Sequence, residues 1–137
     1  MTDNEIPARV YATFILRGKD LDPQDVTERM SIIPSRSFKR GDRRTVKKKW
    51  PHGFWALTSD GHIDSTDLSL HLDWLVKQLE PSNSSIQEII HDSDFKAEIS
   101  CLWISPEDHN GLILPSQLIS KIAELGVELS FDIYYGW

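Results

Sequence analysis

Ala8-Arg9-Val10-Tyr11-Ala12-Thr13-Phe14-Ile15-Leu16-Arg17 reads as a β-strand. Val10, Ala12, Phe14 and Leu16 share one side of a period-2 pleat, and Tyr11, Thr13 and Ile15 share the other. Apolar groups on both sides suit a central strand rather than an edge. Gly18 ends it. The period then changes. Asp22-Pro23-Gln24-Asp25 is a helix start, with Asp22 as cap, Pro23 at the first helical position and Asp25 at the positive end of the dipole. Val26, Met30 and Ile33 follow at i, i+4, i+7 as one apolar stripe, and Pro34 stops the helix.

The rest of the chain continues in short units. Phe54–Ser59 is a second strand, closed by Asp60-Gly61. Ser65 or Thr66 caps a helix over about 66–80. Its Leu68, Leu72, Leu75 and Leu79 form a core stripe widened by Leu70 and Trp74, and Pro81 ends it. Asn83 or Ser84 starts a shorter helix through Ile86, Ile89 and Ile90. Residues 95–104 alternate as a third strand, with Phe95, Ala97, Ile99, Cys101 and Trp103 on one side. Pro115 opens a helix with Leu118, Ile119, Ile122 and Leu125 inward, and Gly126 occupies its C-cap. Residues 127–135 form a last strand, with Val127, Leu129, Phe131, Ile133 and Tyr135 facing one way. Leu21, Pro23, Val26 and Met30 echo Ile113, Pro115, Leu118 and Ile122, which suggests two strand–helix–strand halves. Together these elements predict a two-layer α+β sandwich. Its mixed sheet has four to five strands, its helices lie on one face, and it is related to the ferredoxin-like plan.

The chain has 137 residues, enough for one domain spanning 1–137, with residues 1–7 expected to be disordered. A composition of 39% hydrophobic and 26% charged residues excludes general disorder. No apolar run reaches membrane-spanning length, and the acidic start, Met-Thr-Asp-Asn-Glu, is no secretory signal. A single cysteine, Cys101, fits a reducing cytosol.

Charge is unevenly spread. The net charge is −6, yet residues 36–50 carry +7: Arg36, Lys39, Arg40, Arg43, Arg44, Lys47, Lys48 and Lys49 stand against Asp42 alone. The remainder carries −13. The basic stretch, with its surroundings over 35–53, reads as a hairpin or loop turning at Arg40-Gly41-Asp42-Arg43. Its cations suit an edge. Arg40, Arg43, Arg44, Lys47, Lys48, Lys49 and Trp50 are the candidates for binding nucleic acid or another anion. The plainer account lays the stretch back on the chain's own acids, with Trp50 covering its own hairpin. The acidic body opposes nucleic acid, so generic binding near physiological salt is expected to be weaker than about 10⁻⁵ M.

Little in the sequence points to catalysis. No phosphate-binding glycine loop and no Gly-x-Ser-x-Gly elbow is present. Cys101, mid-strand on the apolar side, reads as a buried hydrophobe rather than a nucleophile. The five histidines lack the helical i, i+4 pair that zinc sites often use. Asp60-Gly61-His62-Ile63-Asp64 offers three alternating polar side chains but reads more simply as a turn approaching a helix cap. No catalytic residue, metal or cofactor is therefore assigned.

The opening strand ending in Arg17-Gly18, Leu21-Asp22-Pro23 with its helix and Pro34, Gly41-Asp42, Trp55-Ala56-Leu57-Thr58-Ser59 before the leucine-rich helix, and the closing Ile133-Tyr134 together resemble the bacterial domain-of-unknown-function family numbered 4279. The resemblance runs from about residue 9 to 135. It implies a small bacterial stand-alone domain and carries over no catalytic residue. With the charge and size, the expected function is a non-catalytic cytosolic protein-interaction module of inhibitor or immunity type. It would use acidic residues Asp60, Asp64, Asp92, Asp94, Glu107 and Asp108 together with Trp137. The expected state is monomer or homodimer, with another protein as partner, no membrane contact, and nucleic acid as the less favoured alternative.

Overall fold

The computed structural model describes residues 8–92, 94–105 and 111–135. Strand β1 (Arg9–Gly18) is central, as its two-sided apolar pattern predicts. It pairs antiparallel with β3 (Gly53–Thr58) on one side and β4 (Lys96–Ser105) on the other. A short β2 (Arg36–Phe38) joins β3 antiparallel, and β5 (Glu128–Tyr135) joins β4 parallel. The sheet order is β2-β3-β1-β4-β5, so the four strands read from the sequence share one mixed sheet with a fifth. β3 and β4 run parallel on either side of β1, joined through helices. That split β-α-β unit carries the relation to the ferredoxin-like plan. The two halves are not equivalent, however. The first closes antiparallel onto β1, whereas β4 and β5 are adjacent and parallel. The echo also fails at its first pair, since Leu21 is buried and Ile113 is 77% exposed.

Four α-helices lie among the described residues: α1 (Pro23–Met30), α2 (Leu68–Leu79), α3 (Asn83–Asp92) and α4 (Ser116–Leu125). Asp22 caps α1 by accepting from the Gln24 N–H at 3.0 Å. Asp67, rather than Ser65 or Thr66, caps α2 by accepting from the Ser69 N–H at 3.0 Å. Gly126 ends α4 at φ 69, in the left-handed region open to glycine. Leu68, Leu72, Leu75 and Leu79 are fully buried and pack with Ala12, Phe14, Leu16, Trp55, Ile99 and Cys101. Polar ties fix the layers. Trp55 Nε1 donates to Thr27 Oγ1 at 3.0 Å, Ser82 Oγ donates to the Met30 carbonyl at 2.6 Å, and Gln87 Nε2 donates to the Leu125 carbonyl at 2.6 Å.

Three predicted core residues are exposed instead. α1 ends at Ser31, whose φ of 57 is left-handed, so Ile33 leaves the helical stripe and is 84% exposed while Ile32 packs inward. Leu70 and Ile119 lie at the outer margins of their stripes, each about half exposed. Gly53 opens β3 and is required there, because a Cβ would come within 2.1 Å of the Leu21 carbonyl oxygen. Residues 1–7, where disorder is expected, lie outside the described residues.

Candidate binding surfaces

The sheet is sealed by helices on one face only. Register places Arg36 and Phe38 of β2, Phe54, Ala56 and Thr58 of β3, and Arg9, Tyr11, Thr13, Ile15 and Arg17 of β1 on the opposite face. Lys96, Glu98, Ser100 and Leu102 of β4 share that face. Tyr11, Thr13 and Ile15 are half-buried there, whereas their neighbours Ala12, Phe14 and Leu16 are sealed in the core.

The basic segment stands beside this face as an ordered hairpin. Gly41 N–H donates to the Trp50 carbonyl at 2.9 Å, Trp50 N–H to the Asp42 carbonyl at 2.8 Å, and Arg44 N–H to the Lys48 carbonyl at 2.9 Å; Arg43 bridges Lys49. The tip is at Thr45–Lys48 rather than at Arg40–Arg43. Thr45 Oγ1 accepts from the Lys47 and Lys48 N–H groups and closes that turn, while Asp42 accepts from the Lys39 N–H at 2.9 Å and makes an earlier bend. The expected turn at Arg40-Gly41 is present, with the Asp42 N–H donating to the Lys39 carbonyl at 3.1 Å and Gly41 at φ 91, but it leads into the hairpin; the tip itself has no glycine, which is why the sequence reading misplaced it.

Aromatic rings anchor the hairpin to the sheet. Trp50 stacks on Phe38 with centroids 3.8 Å apart, and Phe38 stacks on Phe54 at 4.9 Å. Arg44 lies 4.7 Å over the Trp50 ring, and Arg36 lies over Phe38, Trp50 and Phe54. Trp50 therefore covers its own hairpin, with a phenyl ring and guanidinium groups on its faces. The cations mostly do not fold back onto acids. Arg40 pairs with Asp20 at 3.1 Å, but among the described residues no ion pair engages Lys39, Arg43, Arg44, Lys47, Lys48 or Lys49. All six are exposed. On the sheet, Arg9 pairs with Asp60 at 2.8 Å and Arg17 pairs with Glu98. Sequence reasoning did not select Arg36 or Phe38, because a three-residue strand is too short for its alternation to be read.

The predicted acidic residues do not share one face. Asp60 and Asp64 follow β3, beside the start of β1, whereas Asp94 precedes β4 at the opposite end of the sheet. One strand length, roughly 27 Å at about 3.4 Å per residue, separates those ends. Asp92 is the last residue of α3, and its side chain, Glu107, Asp108 and Trp137 lie outside the described residues.

The 59–66 loop holds the polar interior. Ser59 and His71 are buried, with Ser59 Oγ 2.7 Å from His71 Nδ1. His71 Nε2 is 2.8 Å from the Ser65 carbonyl oxygen, which can only accept, so Nε2 carries the proton. Nδ1 is then the acceptor for the Ser59 hydroxyl, whose oxygen also accepts the Ala12 N–H at 2.9 Å. The pair resembles a nucleophile and base only superficially. Both groups are sealed from solvent, and every hydrogen-bonding position named is used inside the protein. It pins β3 and α2 to β1. No spacing signals it, since the fold brings together residues 12 apart in the sequence. Outside it, Asp60, His62, Asp64, Ser65 and Arg9 line a concavity of about 650 Å³. Asp60 faces Arg9 and the His62 ring stacks on Trp74 at 4.6 Å. Among the described residues no group of three His, Cys, Asp or Glu side chains converges as a metal site. Burial pushes the Cys101 thiol up to about 12, which keeps it protonated and unreactive at neutral pH.

An α+β sandwich, helical on one face and flanked at its β2 edge by a basic hairpin, is the class that fold and surface define. The model of the family described as a domain of unknown function, DUF4279, matches residues 8–136, and the chain belongs to that family. None of the curated proteins and none of the solved structures matches it. No helix among the described residues is long and apolar enough to cross a membrane.

Proposed function

We propose that the protein is a non-catalytic binding module, resident in the cytosol, that holds a polyanion on its basic hairpin. The polyanion is a single-stranded nucleic acid. One observation carries this reading: six exposed cations of one ordered hairpin have no intrachain carboxylate partner among the described residues. A solvated charge run that neutralised its own body would show several pairs like Arg40–Asp20. The hairpin instead adjoins a sheet face bearing Arg36, Phe54 and Tyr11. A flexible strand can lay phosphates on the cations and unstacked bases along that face, whereas a rigid duplex meets the hairpin alone. Many described acids lie on the helical side: Asp25, Glu28, Asp73, Glu88 and Glu124 belong to helices.

Fluorescence anisotropy with a single-stranded oligonucleotide tests the reading. Six phosphate contacts predict a log–log salt slope of about −4, or on the order of 300-fold weaker binding from 50 to 200 mM salt. Lys47, Lys48 and Lys49 changed together to Glu should abolish binding at the lower salt. A flat titration of the unaltered protein at 50 mM would remove the proposal.

A second reading is the protein-interaction module of inhibitor or immunity type. It is favoured by a concavity of about 510 Å³ lined by Ile32, Ile33, Pro34, Leu57, His62 and Trp74, which leaves Ile33 84% exposed. It is the reading that stands if the oligonucleotide titration is flat.

A further inference from the structure

The two edges of the sheet are built differently. β2 is three residues long, follows Pro34 and is crowded by cations, all of which block strand addition. β5 is eight residues long, Glu128-Leu129-Ser130-Phe131-Asp132-Ile133-Tyr134-Tyr135, without proline, lysine or arginine. It pairs only with β4 among the described strands. Its outer row of backbone donors and acceptors is a template for another strand. Register puts Leu129, Phe131 and Ile133 on the helix side with Ile99, Cys101 and Trp103. There Phe131 is 39% and Ile133 44% exposed, so the helical layer stops short of this edge.

We propose that β5 pairs antiparallel with β5 of a second copy of this chain, making one continuous sheet across a two-fold axis. The sequence of the strand selects this occupant because it is self-complementary in one register. A two-fold axis perpendicular to the sheet keeps each face on its own side, so facing residues must have the same parity. With the axis at Phe131, Phe131 meets its own copy and Leu129 meets Ile133 on the helix side. On the open face Ser130 meets Asp132 and Glu128 meets Tyr134. The apolar pairs extend the core, and each carboxylate faces a hydroxyl donor. Moving the axis one residue to Asp132 would set two carboxylates directly opposite each other, which is unfavourable. Within one chain the Tyr134 hydroxyl donates to Asp132 at 3.3 Å, a long bond that the Glu128 carboxylate of a copy can replace. The opposing term is the net charge of −6 on each copy. Salt screens that repulsion, so self-association strengthens as salt rises, opposite to binding of an anionic polymer.

Sedimentation equilibrium on the full chain, from about 5 to about 500 µM, reads the outcome, because mass action makes a dimer concentration-dependent. The expected mass rises from 15.7 kDa toward twice that value. Ser130→Glu sets a carboxylate against Asp132 twice in the dimer and should weaken association about tenfold, while Ser130→Lys sets a cation there and should hold or strengthen it. Ser130 is exposed, so both variants keep the monomer fold. A monomer at every concentration overturns the proposal. So does a dimer that ignores both substitutions, or that responds to both in the same direction.

Discussion

Ser59 Oγ serves two partners at once, accepting from the Ala12 N–H and donating its hydroxyl proton to His71 Nδ1. Ser59→Ala would strand both in a sealed interior, so a denaturant midpoint should report a loss of about 1–3 kcal/mol. Nitrogen-15 NMR should find a proton on His71 Nε2; an unprotonated Nε2 would contradict the network. Cys101 gives a pH signature. Burial raises its thiol from 9.0 to about 12, whereas the unfolded chain releases that proton near its ordinary value. The stabilisation is therefore complete below about pH 9 and is lost as pH rises toward 12. Unfolding midpoints should fall across that window, and Cys101→Ala should flatten the fall. Gly53→Ala should destabilise by about 3 kcal/mol, the upper end of overpacking costs, since the new methyl meets backbone rather than a movable side chain.

At the scale of elements, periodicity identified what it physically encodes. β1, β4 and α2 alternate or repeat over enough residues that one face is unambiguous, and their inward residues are the buried ones. Leu72→Ala, at the centre of that face, should cost about 2–5 kcal/mol in thermal or chemical unfolding; an unchanged midpoint would show that α2 does not seal the sheet. Asp67→Ala should cost about 1 kcal/mol by removing the cap of the same helix. The misreadings occur where a local device outweighs the pattern. The left-handed turn at Ser31 throws Ile33 outward, and Thr45 builds a hairpin tip without glycine. β2 has three residues and takes its face from β3, so no one-strand pattern exposes Arg36 and Phe38 as a pair. The basic cluster was legible from composition alone. Its arrangement was not, because the Trp50–Phe38–Phe54 stack forms only when β2 and β3 pair and bring Phe38 back against Trp50 and Phe54.

For the whole molecule, a net value of −6 conceals a local concentration of cations on the ordered hairpin. One side of the sheet is closed by helices that carry many acids, and the other side is bordered at β2 by the hairpin cations. A binding module of this shape should show its partner on one side only. Amide NMR shifts of the full chain, followed during titration with a single-stranded oligonucleotide at about 50 mM salt, test this most directly, since low salt favours phosphate contacts. The account predicts that the perturbed amides are those of residues 39–50 and of the adjoining open face around Tyr11, Arg36 and Phe54, with α2 and α4 unmoved. Shifts centred on the helical side, or none at all, would contradict it.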